Sequence, residues 1–162
     1  GSVQGYKDGP AQFAQMSAPA GLAIDIFLQR LYVADSGNAV IRMVDLASLR
    51  VSTIVGSVGT RGFVDGVGGA AVFKQPLGLA LDVRARQLYV SDSHNHAVRV
   101  VHVDSRVVRT LAGTGVEGSN DGVGASASFF QPQAVAIDEE RRLLYIVDKS
   151  PRVRRAVLVD EP

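Results

Sequence analysis

The 162-residue sequence has no cysteine, which excludes a disulfide framework and any cysteine-based metal site or nucleophile. That absence suits a reducing compartment, so a cytoplasmic setting is the expectation. Long apolar runs are also lacking. The longest span about half a dozen residues, far short of the roughly 20 that a membrane-crossing helix needs, so no membrane insertion is expected. An excess of either charge is missing too: 17 basic residues stand against 16 acidic ones, a formal net charge of +1, and such a balance gives no general pull toward nucleic acid or anionic lipid. Lysine is scarce. Only Lys7, Lys74 and Lys149 occur, so 14 of the 17 basic residues are arginines, which favours planar ion pairs and stacking over simple solubility. Gly1-Ser2 at the start has the look of a cleaved tag, and any natural targeting signal would lie beyond it.

What the sequence has instead is threefold repetition. Asp65-Gly66-Val67-Gly68, Ala71, Phe73 and Pro76 lead into Leu79-Ala80-Leu81-Asp82 and Leu88-Tyr89-Val90-Ser91-Asp92. The string returns as Asp121-Gly122-Val123-Gly124, Ala127, Phe129, Pro132, Val135-Ala136-Ile137-Asp138 and Leu144-Tyr145-Ile146-Val147-Asp148. An earlier copy runs through Asp8-Gly9, Met16, Pro19, Leu22-Ala23-Ile24-Asp25 and Leu31-Tyr32-Val33-Ala34-Asp35. Asp25 to Asp82 is 57 residues and Asp82 to Asp138 is 56. A unit of this size cannot bury its own apolar faces, so the copies must stack as an array.

Within the middle copy, Gly78 to Val83, Gln87 to Ser91, Ala97 to Val103 and Val107 to Ala112 are short runs rich in Val, Leu and Tyr between turn residues. Such runs read as strands, and no segment has a helical period. The connections between them are short, which predicts an antiparallel four-stranded meander, here lettered a to d from the inside outward. Four strands per repeat is the pattern of a propeller blade. Blades are expected at about 20–57, 76–114 and 132–160, with linkers at 5–19, 58–75 and 115–131.

The string Pro76 to Asp82, Leu88 to Arg99 and Val108 to Gly113 resembles an NHL repeat, in the variety whose blades are joined by Asp-Gly-x-Gly-x-x-Ala-x-Phe. The resemblance covers essentially the whole chain. It implies an all-β propeller, commonly of six blades, and most often an interaction platform without catalysis. The b to c turn that gives the family its name reads Ser36-Gly37-Asn38-Ala39 in the first unit and Ser93-His94-Asn95-His96 in the second. In the third, Lys149-Ser150-Pro151-Arg152 is one residue shorter and lacks the Asn.

Eleven strands are expected: abcd, abcd, abc. Three blades cannot close a ring, and open blade faces with bare edges are aggregation-prone. The expectations are a fragment of a longer protein, two copies pairing into a six-bladed ring, or blades supplied by another subunit.

Residues that recur in every copy are expected to build the blade. Asp65 and Asp121 might be taken for members of cation or phosphate loops, but they lack the further carboxylates or the Lys-Ser pair such sites need. The expectation is that each caps its own turn while Phe73 and Phe129 plug the space between blades. Asp35, Asp92 and Asp148 close strand b, Asn38 and Asn95 follow three residues later, and Arg42, Arg99 and Arg154 are placed to reach those carboxylates.

Residues that differ between copies are the binding candidates. His94 and His96 are the one close histidine pair, two residues apart and beside Asp92, a spacing that can hold zinc. A histidine-lined zinc site does occur in an NHL-like lyase, but with ligands from several blades, and the first unit has Gly37 and Ala39 here. His102 has no companion in the sequence. No serine sits in a Gly-x-Ser-x-Gly setting. No cofactor is expected. Propeller topology puts the a–b and c–d turns on one face, gathering Arg30, Arg50, Arg84, Arg86, Arg106, Arg141 and Arg142. These could follow a phosphate backbone, as some NHL domains bind RNA, or could pair with the acidic residues of the same turns, which is the preferred reading. The binding-face candidates are therefore His94, Asn95, His96, Arg84, Arg86, Arg141 and Arg142. The expected function is a non-catalytic scaffold for a protein partner or for self-association. Two alternatives are an RNA-binding propeller and a metal-dependent lyase or hydrolase whose site is shared with other blades.

Overall fold

Short runs of small and branched apolar residues form strands, buried on both sides in the middle of the array and on one side at its two ends. In the computed structural model, which describes residues 4–159, these runs form three antiparallel sheets and no α-helix. The first sheet contains β1 (Gly9–Pro10), β2 (Pro19–Asp25), β3 (Arg30–Asp35), β4 (Val40–Asp45) and β5 (Arg50–Val55) in the order β1-β5-β4-β3-β2. In the second, β6 (Gly66–Val67), β7 (Pro76–Asp82), β8 (Gln87–Asp92), β9 (Ala97–His102) and β10 (Val107–Ala112) repeat it as β6-β10-β9-β8-β7. The third has β11 (Ala134–Asp138), β12 (Leu143–Val147) and β13 (Val153–Val157). Gly1-Ser2 and the end of the third expected blade at residue 160 lie outside the described residues.

Four-stranded blades were expected, and the first two sheets have a fifth strand. The Asp-Gly segment of the linker pairs antiparallel with the outermost long strand: Gly9 lies opposite Val51, and Val67 opposite Val107. The glycine has no side chain to obstruct this pairing, and only two residues fit before the linker turns inward. A bare outer edge is thereby covered from within the chain.

Seven of the tight turns share one device, which the shortened b–c turn at 149–152 lacks. The residue before the next strand is left-handed at Gln29, Arg86 and Arg142 in the a–b turns, at Ala39 and His96 in the b–c turns, and at Leu49 and Arg106 in the c–d turns, with φ between 50° and 58°. A helical turn ending in one left-handed residue matches the twist of the strands it joins.

The core lies between sheets. Phe73 and Ala71 of the linker fill the space between Tyr32, Ile41, Ile54 and Val55 of the first blade and Leu79, Leu81, Leu88 and Val101 of the second. Phe129 and Ala127 do the same between Tyr89 and Val98 of the second and Leu144, Ile146 and Leu158 of the third. Each buried phenylalanine contributes about 1.5–3 kcal/mol by leaving water. The inner strands approach so closely that a Cβ on Gly78 would lie 2.7 Å from Ala134 Cα. Glycine is therefore a packing requirement at that point.

Candidate functional site

The polar residues that recur are absorbed into the blades. Arg42 is fully buried and reaches two carboxylates, Asp35 Oδ2 at 2.7 Å and Asp8 Oδ1 at 2.5 Å, as well as the Gln15 and Lys7 carbonyls. Arg99 repeats the set with Asp92 at 3.3 Å, Asp65 at 2.7 Å, and the Val72 and Val64 carbonyls. Its guanidinium lies 5.0 Å from the Phe63 ring centre and 5.1 Å from that of Phe73. Such stacking needs the planar arginine head and explains the scarcity of lysine.

The Asp-Gly aspartates were expected to cap their own turns, and the structure corrects this. Asp65 accepts from Arg99, and from the Thr110 N–H and hydroxyl at 3.1 and 3.0 Å. Asp8 does the same with Arg42 and Thr53. The carboxylate is needed where β6 or β1 crosses the blade edge, because the arginine of strand c has a second fork to satisfy.

Asn38 and Asn95 tie the b–c turn to the linker. The Asn95 amide donates to Asp92 Oδ2 and to the Gly62 carbonyl, both at 2.6 Å, and Asn38 bonds Asp35 and Gly5 alike. Asn95 is buried, so it does not belong to a binding face. Burial pushes the Asp92 carboxyl up, against the opposing pull of the Gln75 N–H, Asn95, the Lys74 N–H and Arg99. In the third blade, Ser150 takes the place of Asn, donating its hydroxyl and N–H to Asp148. Arg154 bonds Asp121 at 2.7 Å and stacks on Phe129 at 4.6 Å. It makes no bond to Asp148 among the described residues, which departs from the other two arginines. The register is unchanged, Arg154 lying opposite Ile146 as Arg99 lies opposite Val90, so the missing residue is taken up in the turn itself.

The arginines of the a–b and c–d turns mostly have acidic partners. Arg86 reaches Asp25 at 2.5 Å and Asp104 at 3.0 Å, while Arg142 reaches Asp82. The pairs with Asp25 and Asp82 cross from one blade to the preceding one, a longer reach than pairing within a turn, while Arg86–Asp104 joins two turns of the same blade. Burial alone would raise the Asp25 carboxyl, but the Leu28 N–H, Arg86 and the Phe27 N–H outweigh it and hold it below the ordinary value. The Arg86 hydrogen bond holds Asp104 low as well. Arg141 binds Asp138 within its own turn at 2.9 Å. Arg84 is exposed and lines a shallow cleft with Ile137, Asp138, Glu139 and Glu140.

On the opposite face the b–c turns and the linkers meet. Arg61 bonds the Gly37 carbonyl at 2.8 Å and also the carbonyls of Ser36 and Lys74. Lys74 and Lys149 follow on either side of the 93–96 turn. Among the described residues, none of these three cations forms an ion pair. His94 is exposed, and burial together with Lys74, Lys149, Arg61 and His96 holds its imidazole below the ordinary value. His96 is half-buried. Its Nδ1 accepts from the Gln131 N–H at 3.3 Å, and its ring lies parallel to Phe130. The two imidazoles are therefore not offered as a pair, and no group of three His, Asp or Glu side chains among the described residues is placed to hold a metal. His102, without a companion in the sequence, accepts from the Ser105 N–H at 3.2 Å and closes a c–d turn.

Residues 73–101 match the NHL repeat model, and the chain is 39% identical over 147 residues to NHL repeat-containing protein 2 of Gallus gallus. It belongs to the NHL-repeat family. That alignment takes in 85% of this chain and 20% of the relative. The human protein of the same name is 37% identical over the same length. Protein SUPPRESSOR OF QUENCHING 1, chloroplastic, of Arabidopsis thaliana is 41% identical over 153 residues, 90% of this chain and 14% of that protein. The chain thus spans about a fifth or less of the length of these relatives. Among solved structures, an auxiliary nutrient binding protein of Bacteroides thetaiotaomicron superposes with a TM-score of 0.72 at 24% identity, over 83% of this chain and 36% of that one. A chain of a nidogen/laminin complex gives 0.67 at 20%, over 89% and 46%. Both likenesses speak for the NHL propeller fold alone.

Within the NHL pattern, the asparagine of the family's own triplet is here a structural clamp between turn and linker. Comparison of the copies singles out Lys149 in the sequence as a residue that breaks the repeat, whereas the cations Arg61 and Lys74 were passed over. One signal could have found them: Arg61 stands where the next linker has Glu117, and Lys74 where it has Phe130.

Proposed function

We propose that this chain is part of an NHL β-propeller that serves as a rigid protein-interaction scaffold, and that its partner docks on the face carrying the b–c turns. The observation that supports this most is the distribution of difference between copies. Recurring Asp, Asn, Arg and Phe residues are spent on the blades, while Arg61, Lys74, His94 and Lys149 break the repeat and lie together at one set of turns. The Arg61 guanidinium is fixed by three backbone carbonyls, so a partner with exposed carboxylates meets at least one preset cation and loses less entropy on binding there. The relatives' names include no reaction for these repeats, and fold alone does not assign one.

RNA binding through the arginine face is the weaker reading, because Arg86 and Arg142 already hold carboxylates of the neighbouring blade. Photo-crosslinking residues placed singly at Lys74, His94, Arg84 and Arg141 in cells of the source organism separate the faces. Protein adducts from the first two positions are expected. Adducts confined to the last two, or RNA adducts there, would overturn the assignment.

A further inference from the structure

Both blade interfaces are closed by one repeated clasp. The arginine at the left-handed position of an a–b turn, Arg86 at φ 57° or Arg142 at φ 54°, reaches back to the aspartate ending strand a of the preceding blade, Asp25 or Asp82. The backbone is set identically in the two copies: the Val103 N–H donates to the Arg86 carbonyl at 3.0 Å and the Leu158 N–H to that of Arg142 at 2.8 Å. Asp25 and Asp82 have no exposed side-chain surface.

Asp138 is the third aspartate of this series. Among the described residues no blade follows it, and it turns to Arg141 of its own loop, with its side chain 24% exposed. The apolar residues beside it are equally uncovered. Tyr145 and Val153 are 37% and 70% exposed, where their counterparts Tyr89 and Val98 are 1% and 0%. At the other end of the array, the residue in the arginine position is Gln29, left-handed at φ 52° with its carbonyl accepting from the Leu46 N–H at 2.8 Å.

We infer that the open face of the third blade is an interface for a further blade that carries an arginine at this left-handed position, and that a second copy of this chain is not that blade. A second copy would present Gln29, which is neutral and shorter than arginine, so Asp138, held only by Arg141 of its own exposed turn, would lose water without gaining the cross-blade cation that Asp25 and Asp82 have. It would also meet a methyl group. Gly21 and Gly78 let the next strand a pass against their Cα atoms, and the third blade has Ala134 in that place. Apolar complementarity alone would allow two copies to stack, since Leu22 and Ile24 of the first blade are exposed as well. Charge and backbone fit select against it. The inference stands apart from the scaffold reading, which concerns a different face.

The chain itself supplies the probe. Gln29→Arg combined with Ala134→Gly puts at both mismatched positions the residues found in the chain's own interfaces, so the variant keeps the fold. Self-association is measured by sedimentation equilibrium over a concentration series. The wild-type chain is expected to remain without a closed two-copy ring, and the double variant to associate at least tenfold more tightly. Adding Asp138→Asn should remove most of that gain. A two-copy ring formed by the wild-type chain would overturn the inference. So would a double variant no tighter than wild type, or a gain that survives Asp138→Asn.

Discussion

The Arg86 guanidinium of the second blade meets the Asp25 carboxylate of the first at 2.5 Å, across 61 positions of sequence. The contact joins two sheets that otherwise share apolar surface, the linker and a longer Arg30–Asp104 pair at 3.8 Å. It also draws in Asp104, so one arginine fixes an a–b turn, a c–d turn and the preceding blade.

Arg86→Ala should therefore lower stability by about 2 kcal/mol. The figure is below the roughly 3–5 kcal/mol for losing one partner of a deeply buried pair, because Asp25 sits at the rim beside the exposed turn 26–28 and water can reach it once the arginine is gone. Arg141→Ala, at an exposed pair within one turn, should leave stability unchanged. Urea unfolding of both variants checks the contrast.

Acid should weaken the fold through the same group. Asp25 and Asp104 are held below the ordinary carboxylate value in the folded chain, so the unfolded chain binds more protons as pH falls. Their contribution is complete above the unfolded value near pH 4 and is lost as pH drops through the lower folded values. Stability measured from pH 6 to pH 2.5 should fall steeply below about pH 4 in wild type. In Arg86→Ala the fall should be shallower.

The asparagine clamp gives a third contrast. Asn95→Ala removes donors to Asp92 and to the Gly62 carbonyl in a buried site, and should cost about 1–3 kcal/mol. His94→Ala, one residue away and exposed, should stay within about 0.5 kcal/mol of wild type. Thermal unfolding of the two variants side by side decides whether the turn is structural at Asn95 and free at His94.

Leu49 is exposed and left-handed at φ 52°, a conformation that a branched side chain resists. Leu49→Gly should raise stability by up to about 1 kcal/mol, the relief of backbone strain exceeding the added freedom of the unfolded chain. A higher denaturant midpoint is the expected reading.

Strands, turns and repeat period were legible because they rest on local pattern: Leu88-Tyr89-Val90 between turn residues can be little else. The fifth strand was not, since two residues such as Gly66-Val67 carry no periodicity. Asp65 looked like a self-capping turn residue because the sequence cannot display Arg99, 34 positions away, pointing at it. Arg86 and Arg142 looked free, or paired locally, for a similar reason. Their cross-blade partners Asp25 and Asp82 lie in the preceding copy, and nothing along the chain distinguishes the Asp of one blade from that of the next. The face at His94 was half legible: comparing copies singled out the two histidines and Lys149, while Arg61 and Lys74 emerged only when the linkers were seen against the b–c turns.

The central claim is that residues shared by the copies build the propeller and that those differing on the b–c face bind. Its most direct test is a paired charge reversal, with affinity for the partner captured by crosslinking measured by titration calorimetry. Lys74→Glu with Lys149→Glu should weaken binding at least tenfold while leaving the unfolding midpoint unchanged, and Arg84→Glu with Arg141→Glu should leave affinity as it is. Equal affinity in the first pair and loss in the second would contradict the account.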